Sequence, residues 1–131
     1  MPQAKVNTGF AFEDAGVALM ARVEGWNGVN IVQSDLSAIQ YCVTNKNTGA
    51  TVIASTSLTI SSVVFNTLQT PAVWQTDATG YNFRHNVPAA AFPSGDEVTP
   101  VIYRVEYKLT FASGEPVFLV WDIEALPIYM S

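Results

Sequence analysis

Between Val101 and Leu126 the chain reads VIYRVEYKLTF, then ASGE, then PVFLVWDIEAL. This alternation limits the fold more than any other feature. Val101, Tyr103, Val105, Tyr107, Leu109 and Phe111 occupy every second position, with Ile102, Arg104, Glu106, Lys108 and Thr110 between them. Successive side chains of a strand leave on opposite faces, so such a segment has one dry face and one wet face. The second arm repeats the pattern, with Val117, Leu119, Trp121 and Ile123 on one face and Phe118, Val120, Asp122 and Glu124 on the other. ASGE supplies the Ser and Gly of a turn, and the whole predicts a long antiparallel hairpin. On its wet face Asp122 and Glu124 stand beside Arg104 and Lys108. That predicts a ladder of ion pairs worth about 0.2–1 kcal/mol each, in preference to a pair of glycosidase carboxylates facing across a cleft.

Shorter period-two segments precede the hairpin: GVALMARV at 16–23, SAIQYCVT at 37–44, ATVIAST at 50–56, LTISSVVF at 58–65 and YNFRHNV at 81–87. Ser34–Gln40 is read as β in preference to a single helical turn. EGWNGVN and NKNTG are loop and turn signals, since Asn and Gly tolerate positive φ. Residues 66–80 read as a long connection, with Trp74 plugging one end of the core, and 88–100 as a proline-bounded crossover. The expectation is a single all-β domain over 1–131: an immunoglobulin-like antiparallel β-sandwich of about seven strands, with 1–14 and 127–131 as arms. Phe83, Tyr103, Tyr107 and Trp121 are expected to fill the space between its layers.

Charge and length exclude several functions. Only 13% of the 131 residues are charged, against about 25% in an average soluble domain. A free monomer stays dispersed through surface charge, whereas a subunit covered by neighbours needs less. A compact β protein has this composition too. The net charge is −5 and the six basic residues are scattered, so no nucleic acid partner is expected. The longest apolar run, AGVALMA, is far shorter than the roughly 20 residues of a membrane helix. MPQAKVNTGFAFEDAG lacks the apolar region of a secretory signal. Cys42 is the single cysteine, which rules out an internal disulfide and a multi-thiolate metal site.

The richest stretch in reactive residue types is DATGYNFRHNVPAAAF, which contains the one histidine, His85. Alternation puts Tyr81, Phe83, His85 and Val87 on one face, with Asn82, Arg84 and Asn86 on the other. His85 is therefore read as an inward or rim imidazole bonded to a backbone carbonyl. A general base would need a nucleophile and an orienting carboxylate, and Asp77 reads as a turn former. Glu13 and Asp14 read as a solvated pair. Cys42 lies opposite the Ile39/Tyr41/Val43 face with no strong base nearby, so a reactive thiolate is not expected. No catalytic residue, metal site, cofactor or small-molecule ligand is expected. Trp26 and Trp74 lie in loops, where such rings cap a sandwich, anchor an interface or stack on sugars.

The run WQTDATGYNFRHNVPAAAFP, followed by YRVEYKLT and SGEPVFLV, resembles small proteins encoded among tailed-phage and prophage structural genes. It is also similar to the immunoglobulin-like domain that begins phage baseplate upper proteins. The likeness covers residues 17 to 126 and brings no catalytic residues with it. It implies a virion building block of tail, baseplate, neck or capsid decoration, assembled in the host cytoplasm and packed against itself and other virion subunits. Unlike in baseplate upper proteins, no fibre or receptor-binding domain is expected after the sandwich. Phe10, Phe12, Ile128 and Tyr129 in the arms, with Trp26 and Trp74, are the expected interface residues. The alternative is a carbohydrate- or cell-surface-binding module built on the two loop tryptophans.

Overall fold

The alternating hairpin forms the centre of the larger of two sheets. The computed structural model describes residues 6–12, 14–25, 28–70, 80–93 and 101–127. Among them, eight strands run in the order β1 (Val6–Phe12), β2 (Val17–Ala21), β3 (Leu36–Asn45), β4 (Thr51–Leu58), β5 (Val64–Gln69), β6 (Tyr81–Val87), β7 (Val101–Phe111) and β8 (Val117–Leu126). The larger sheet has the order β1-β8-β7-β3-β4 and the smaller one β2-β6-β5. β7 and β8 pair antiparallel from Val101↔Ala125 to Leu109↔Val117, as their sequences predict.

The sheets meet through aromatic rings. The Phe83 ring lies 5.0 Å from that of Tyr107 and 6.1 Å from that of Trp121, and Tyr107 and Trp121 are 5.6 Å apart. Phe83, Tyr103, Tyr107 and Trp121 are all buried, as expected of rings between two layers. The Phe83–Tyr107 and Tyr107–Trp121 pairs are edge-to-face and Phe83–Trp121 is stacked; such pairs add about 0.5–1.5 kcal/mol beyond their buried area.

Local chemistry accounts for the turns. In the β3–β4 connection the Asn45 side-chain oxygen accepts the backbone N–H of Asn47 and of Thr48, at 2.9 and 3.2 Å. Gly49 follows at φ +80°, which suits glycine best. Asp14 takes φ 57° and its N–H donates to the Phe92 carbonyl at 2.7 Å. The chain passes there from the larger sheet into the smaller one.

Four expectations need correction. Residues 6–12 are not an arm: they form β1, at the edge of the larger sheet. β1 runs parallel to β8, from Val6↔Val120 to Phe12↔Leu126, so that sheet is mixed rather than purely antiparallel. Residues 58–65 are not one strand. β4 ends at Leu58, a helical turn α1 (Ile60–Val63) crosses between the sheets, and β5 runs from Val64 to Gln69 into the segment read as a connection. Val63 and Val64 are both buried, and consecutive residues of one strand cannot face the same core. Finally, a 3₁₀ turn occupies Gln33–Asp35 before β3 begins, with the Asp35 carboxylate accepting the Val32 N–H at 3.0 Å.

Candidate functional site

The free edge of the larger sheet carries its most conspicuous apolar surface. In β1, Ala11 points inward and is buried. Gly9 stands opposite Ile123, and a Cβ on it would lie 3.4 Å from Ile123 Cδ1. Val6, Phe10 and Phe12 therefore face outward and are 46, 66 and 53% exposed. On β8, Phe118 points the same way and is 58% exposed. Phe118, Val6, Phe10 and Phe12 form an outward stripe of roughly 26 Å at the rise of a strand, interrupted by Thr8 beside Asp122 and by Glu124 beside Phe10. β1 is an end strand of the sheet, so its outer backbone edge has no partner strand among the described residues. Phe10 and Phe12 thus lie where an interface residue would be accessible. Trp26, Trp74, Ile128 and Tyr129 fall outside the described residues, as do Glu13 and Asp77.

His85 is inward, as alternation predicts, but its partner is not a backbone carbonyl. Its Nδ1 lies 2.6 Å from the Tyr107 hydroxyl across the two sheets, and the Tyr41 ring packs at 4.7 Å. The buried Tyr107 hydroxyl has no other hydrogen-bond partner among the described residues, so its one proton is assigned to Nδ1, which leaves the neutral imidazole with its hydrogen on Nε2. Burial holds the imidazole below its usual pKa and the Tyr107 phenol above its own, with neighbouring Tyr41 adding to the latter. The pair is therefore neutral at pH 7. No serine or cysteine side chain is hydrogen-bonded to His85 among the described residues.

The wet face of the hairpin carries a compact ion cluster. Arg104 donates through Nε and Nη2 to Asp122 at 2.8 and 3.1 Å, and Lys46 Nζ reaches the same carboxylate at 2.9 Å. The Arg104 hydrogen bonds, opposed by partial burial and assisted by Lys46, hold the Asp122 carboxyl down at about 2. Arg104 occupies its expected place. Lys108 stands opposite Phe118 instead, and the second cation is Lys46 from the β3–β4 turn. Cys42 faces Glu106, with its Sγ 3.9 Å from the carboxylate. Burial, then the adjacent negative charge, push its thiol upward, which is the opposite of activation.

Sequence reasoning overlooked two features. Asn82 belongs to the outward set of β6, yet it is 1% exposed. Its amide oxygen accepts the Val23 N–H at 2.7 Å, and its NH₂ donates to the Val23 and Ile31 carbonyls at 3.0 and 3.2 Å. It is a staple closing the base of the 23–31 loop, invisible to spacing because its partners lie more than 50 positions away. The second is a groove of 670 Å³ where the end of β4, α1, β5 and β6 meet, with Ser57, Thr59, Ser62, Arg84, His85 and Asn86 in its lining.

Among the described residues no group of three or more His, Cys, Asp or Glu side chains could hold a metal ion. No helix among them is long and apolar enough to cross a membrane. Comparison of the chain with protein-family models, with curated proteins and with solved structures found no match.

Proposed function

We propose that this chain is a non-enzymatic structural subunit of a tailed-phage particle, acting through protein–protein packing. The observation that carries the proposal is the edge strand β1, whose outer side has no partner strand among the described residues, with Phe10 and Phe12 exposed on it and continued by Phe118 on β8. Proteins that work as free monomers blunt such edges with charge, proline or a covering segment, because an open edge templates association. Burying each exposed Phe against a neighbour contributes about 1.5–3 kcal/mol. The low charge content and the resemblance of residues 17 to 126 to phage structural proteins support the same reading.

The proposal includes an immunoglobulin-like fold. Reading β2 to β8 as strands B, C, C′, D, E, F and G sets B-E-D against C′-C-F-G, the arrangement of variable-type sandwiches, with β1 added beside G. The inter-sheet disulfide of antibody domains is missing, since Cys42 is the single cysteine.

Light scattering coupled to size exclusion tests the packing role. The wild-type chain at micromolar concentration, alone or with the products of adjacent genes, is expected to assemble. Phe10→Glu/Phe12→Glu is expected to stay folded and monomeric. A wild-type chain that remains monomeric in both settings overturns the proposal. Flanking portal, capsid or tail genes would support the particle assignment, and a neighbourhood of metabolic genes would count against it.

A further inference from the structure

We infer that the groove between β4, α1, β5 and β6 is a binding site for a carboxylate, anchored by Arg84. Arg84 is half-buried on the central strand of the smaller sheet. Its Nε is buried and has no hydrogen-bond partner among the described residues. The other basic side chains of the described residues are accounted for. Lys46 and Arg104 hold Asp122, Arg22 donates to the Gly80 carbonyl, and Lys108 is exposed to solvent. A guanidinium taken partly out of water without an acceptor is costly, and a buried donor left orphaned costs about 1–3 kcal/mol. Arg84 also lines the groove, where an anion would neutralise the guanidinium and offset that cost.

The surroundings select the anion. The Ser57, Thr59 and Ser62 hydroxyls and the Asn86 amide offer neutral donors around the cation, and no Asp or Glu is among the described lining residues. One guanidinium balances one negative charge, and its planar fork matches the two oxygens of a carboxylate. A phosphate dianion would call for further Lys or Arg. Leu58 and Phe65 form an apolar part of the wall, so the acid carries an apolar body. It can be a free small acid or the carboxylate of a polypeptide. The groove lies beside β4, at the opposite edge of the larger sheet from β1, and is independent of the packing surface proposed above.

The test is a ¹⁵N NMR titration of the full chain, following the Arg84 Nε–H resonance. The probes are 3-phenylpropionate, its neutral amide, inorganic phosphate, and the dipeptide N-acetyl-Leu-Phe as acid and as amide. The expected result is a saturable shift with 3-phenylpropionate, half-complete at about 1–10 mM, and little change with either amide. A tighter response to the peptide acid assigns the polypeptide source, and an equal or weaker one assigns the free acid. Arg84→Gln abolishes the response at neighbouring amides, and Arg84→Lys weakens it about tenfold. If Arg84→Gln fails to fold, Ser62→Ala keeps the cation and is expected to weaken binding at least twofold. Equal shifts with acid and amide, tighter binding of phosphate, or binding retained in folded Arg84→Gln overturns the inference.

Discussion

Replacing Tyr107 by Phe removes one oxygen from a residue with no exposed surface, and that oxygen is the proton donor to His85 Nδ1 at 2.6 Å. The ring packing against Phe83 and Trp121 survives, so the effect isolates the hydrogen bond. His85 then keeps a buried acceptor with no donor, at a cost of about 1–3 kcal/mol. For a chain of this length that lowers the melting temperature by very roughly 3–5 °C per kcal/mol. His85→Leu orphans the phenol proton instead and is expected to cost a similar amount. The double variant removes both polar groups and leaves neither stranded, so its loss should fall short of the summed single losses by at least ~1 kcal/mol. Urea unfolding at pH 8 measures the cycle.

The same pair sets a pH dependence. Burial depresses the folded-state pKa of His85 below 6.5. Above 6.5 the imidazole is neutral in both states and its contribution to stability is complete. As pH falls below 6.5 the unfolded chain takes up a proton that the folded chain resists. Stability then declines by up to ~1.4 kcal/mol per pH unit until the folded-state pKa is reached. His85→Leu should flatten that slope between pH 6.5 and 5. Strictly additive single losses, or parallel profiles for wild type and His85→Leu, would refute the reasoning.

Two further predictions concern the larger sheet. Asp122→Asn should cost about 1 kcal/mol at pH 7 by urea unfolding, the scale of a bridged surface cluster. With the carboxyl held at about 2 in the folded state, that cost should be complete above the ordinary carboxylate range and shrink as pH falls toward 2, and a pH-independent difference would count against the cluster. Cys42, its thiol raised by burial and by Glu106, should alkylate with iodoacetamide several-fold more slowly than a free thiol at pH 8, and a rate equal to that of glutathione would contradict its placement.

The hairpin was legible because β7 and β8 each have one wet face and one dry face, and their alternation needs no knowledge of the rest of the chain. β1 was not, because its pattern is inverted. Asn7, Gly9 and Ala11 take the inward positions against β8, where a Cβ on Gly9 would already be in van der Waals contact with Ile123. The two phenylalanines, which any hydropathy rule would bury, are left outside. The 58–65 segment was misread because a buried Val-Val doublet resembles strand composition while requiring a change of direction. His85 illustrates the limit of spacing: its face was readable, but which ring stands across from it depends on the relative placement of two sheets. Lys46 is a similar case, since a turn residue reaches Asp122 through tertiary proximity and no periodicity encodes it.

The parallel pairing of β1 with β8 has a mechanical consequence. Val6 lies beside Val120 and Phe12 beside Leu126, so the chain enters β1 at one end of the shared ladder and leaves β8 at the other. Tension applied through those two points would pull the strands past each other along their length. Every rung between them would then carry the load together instead of parting one at a time, and a fold of modest equilibrium stability could resist a sustained tug.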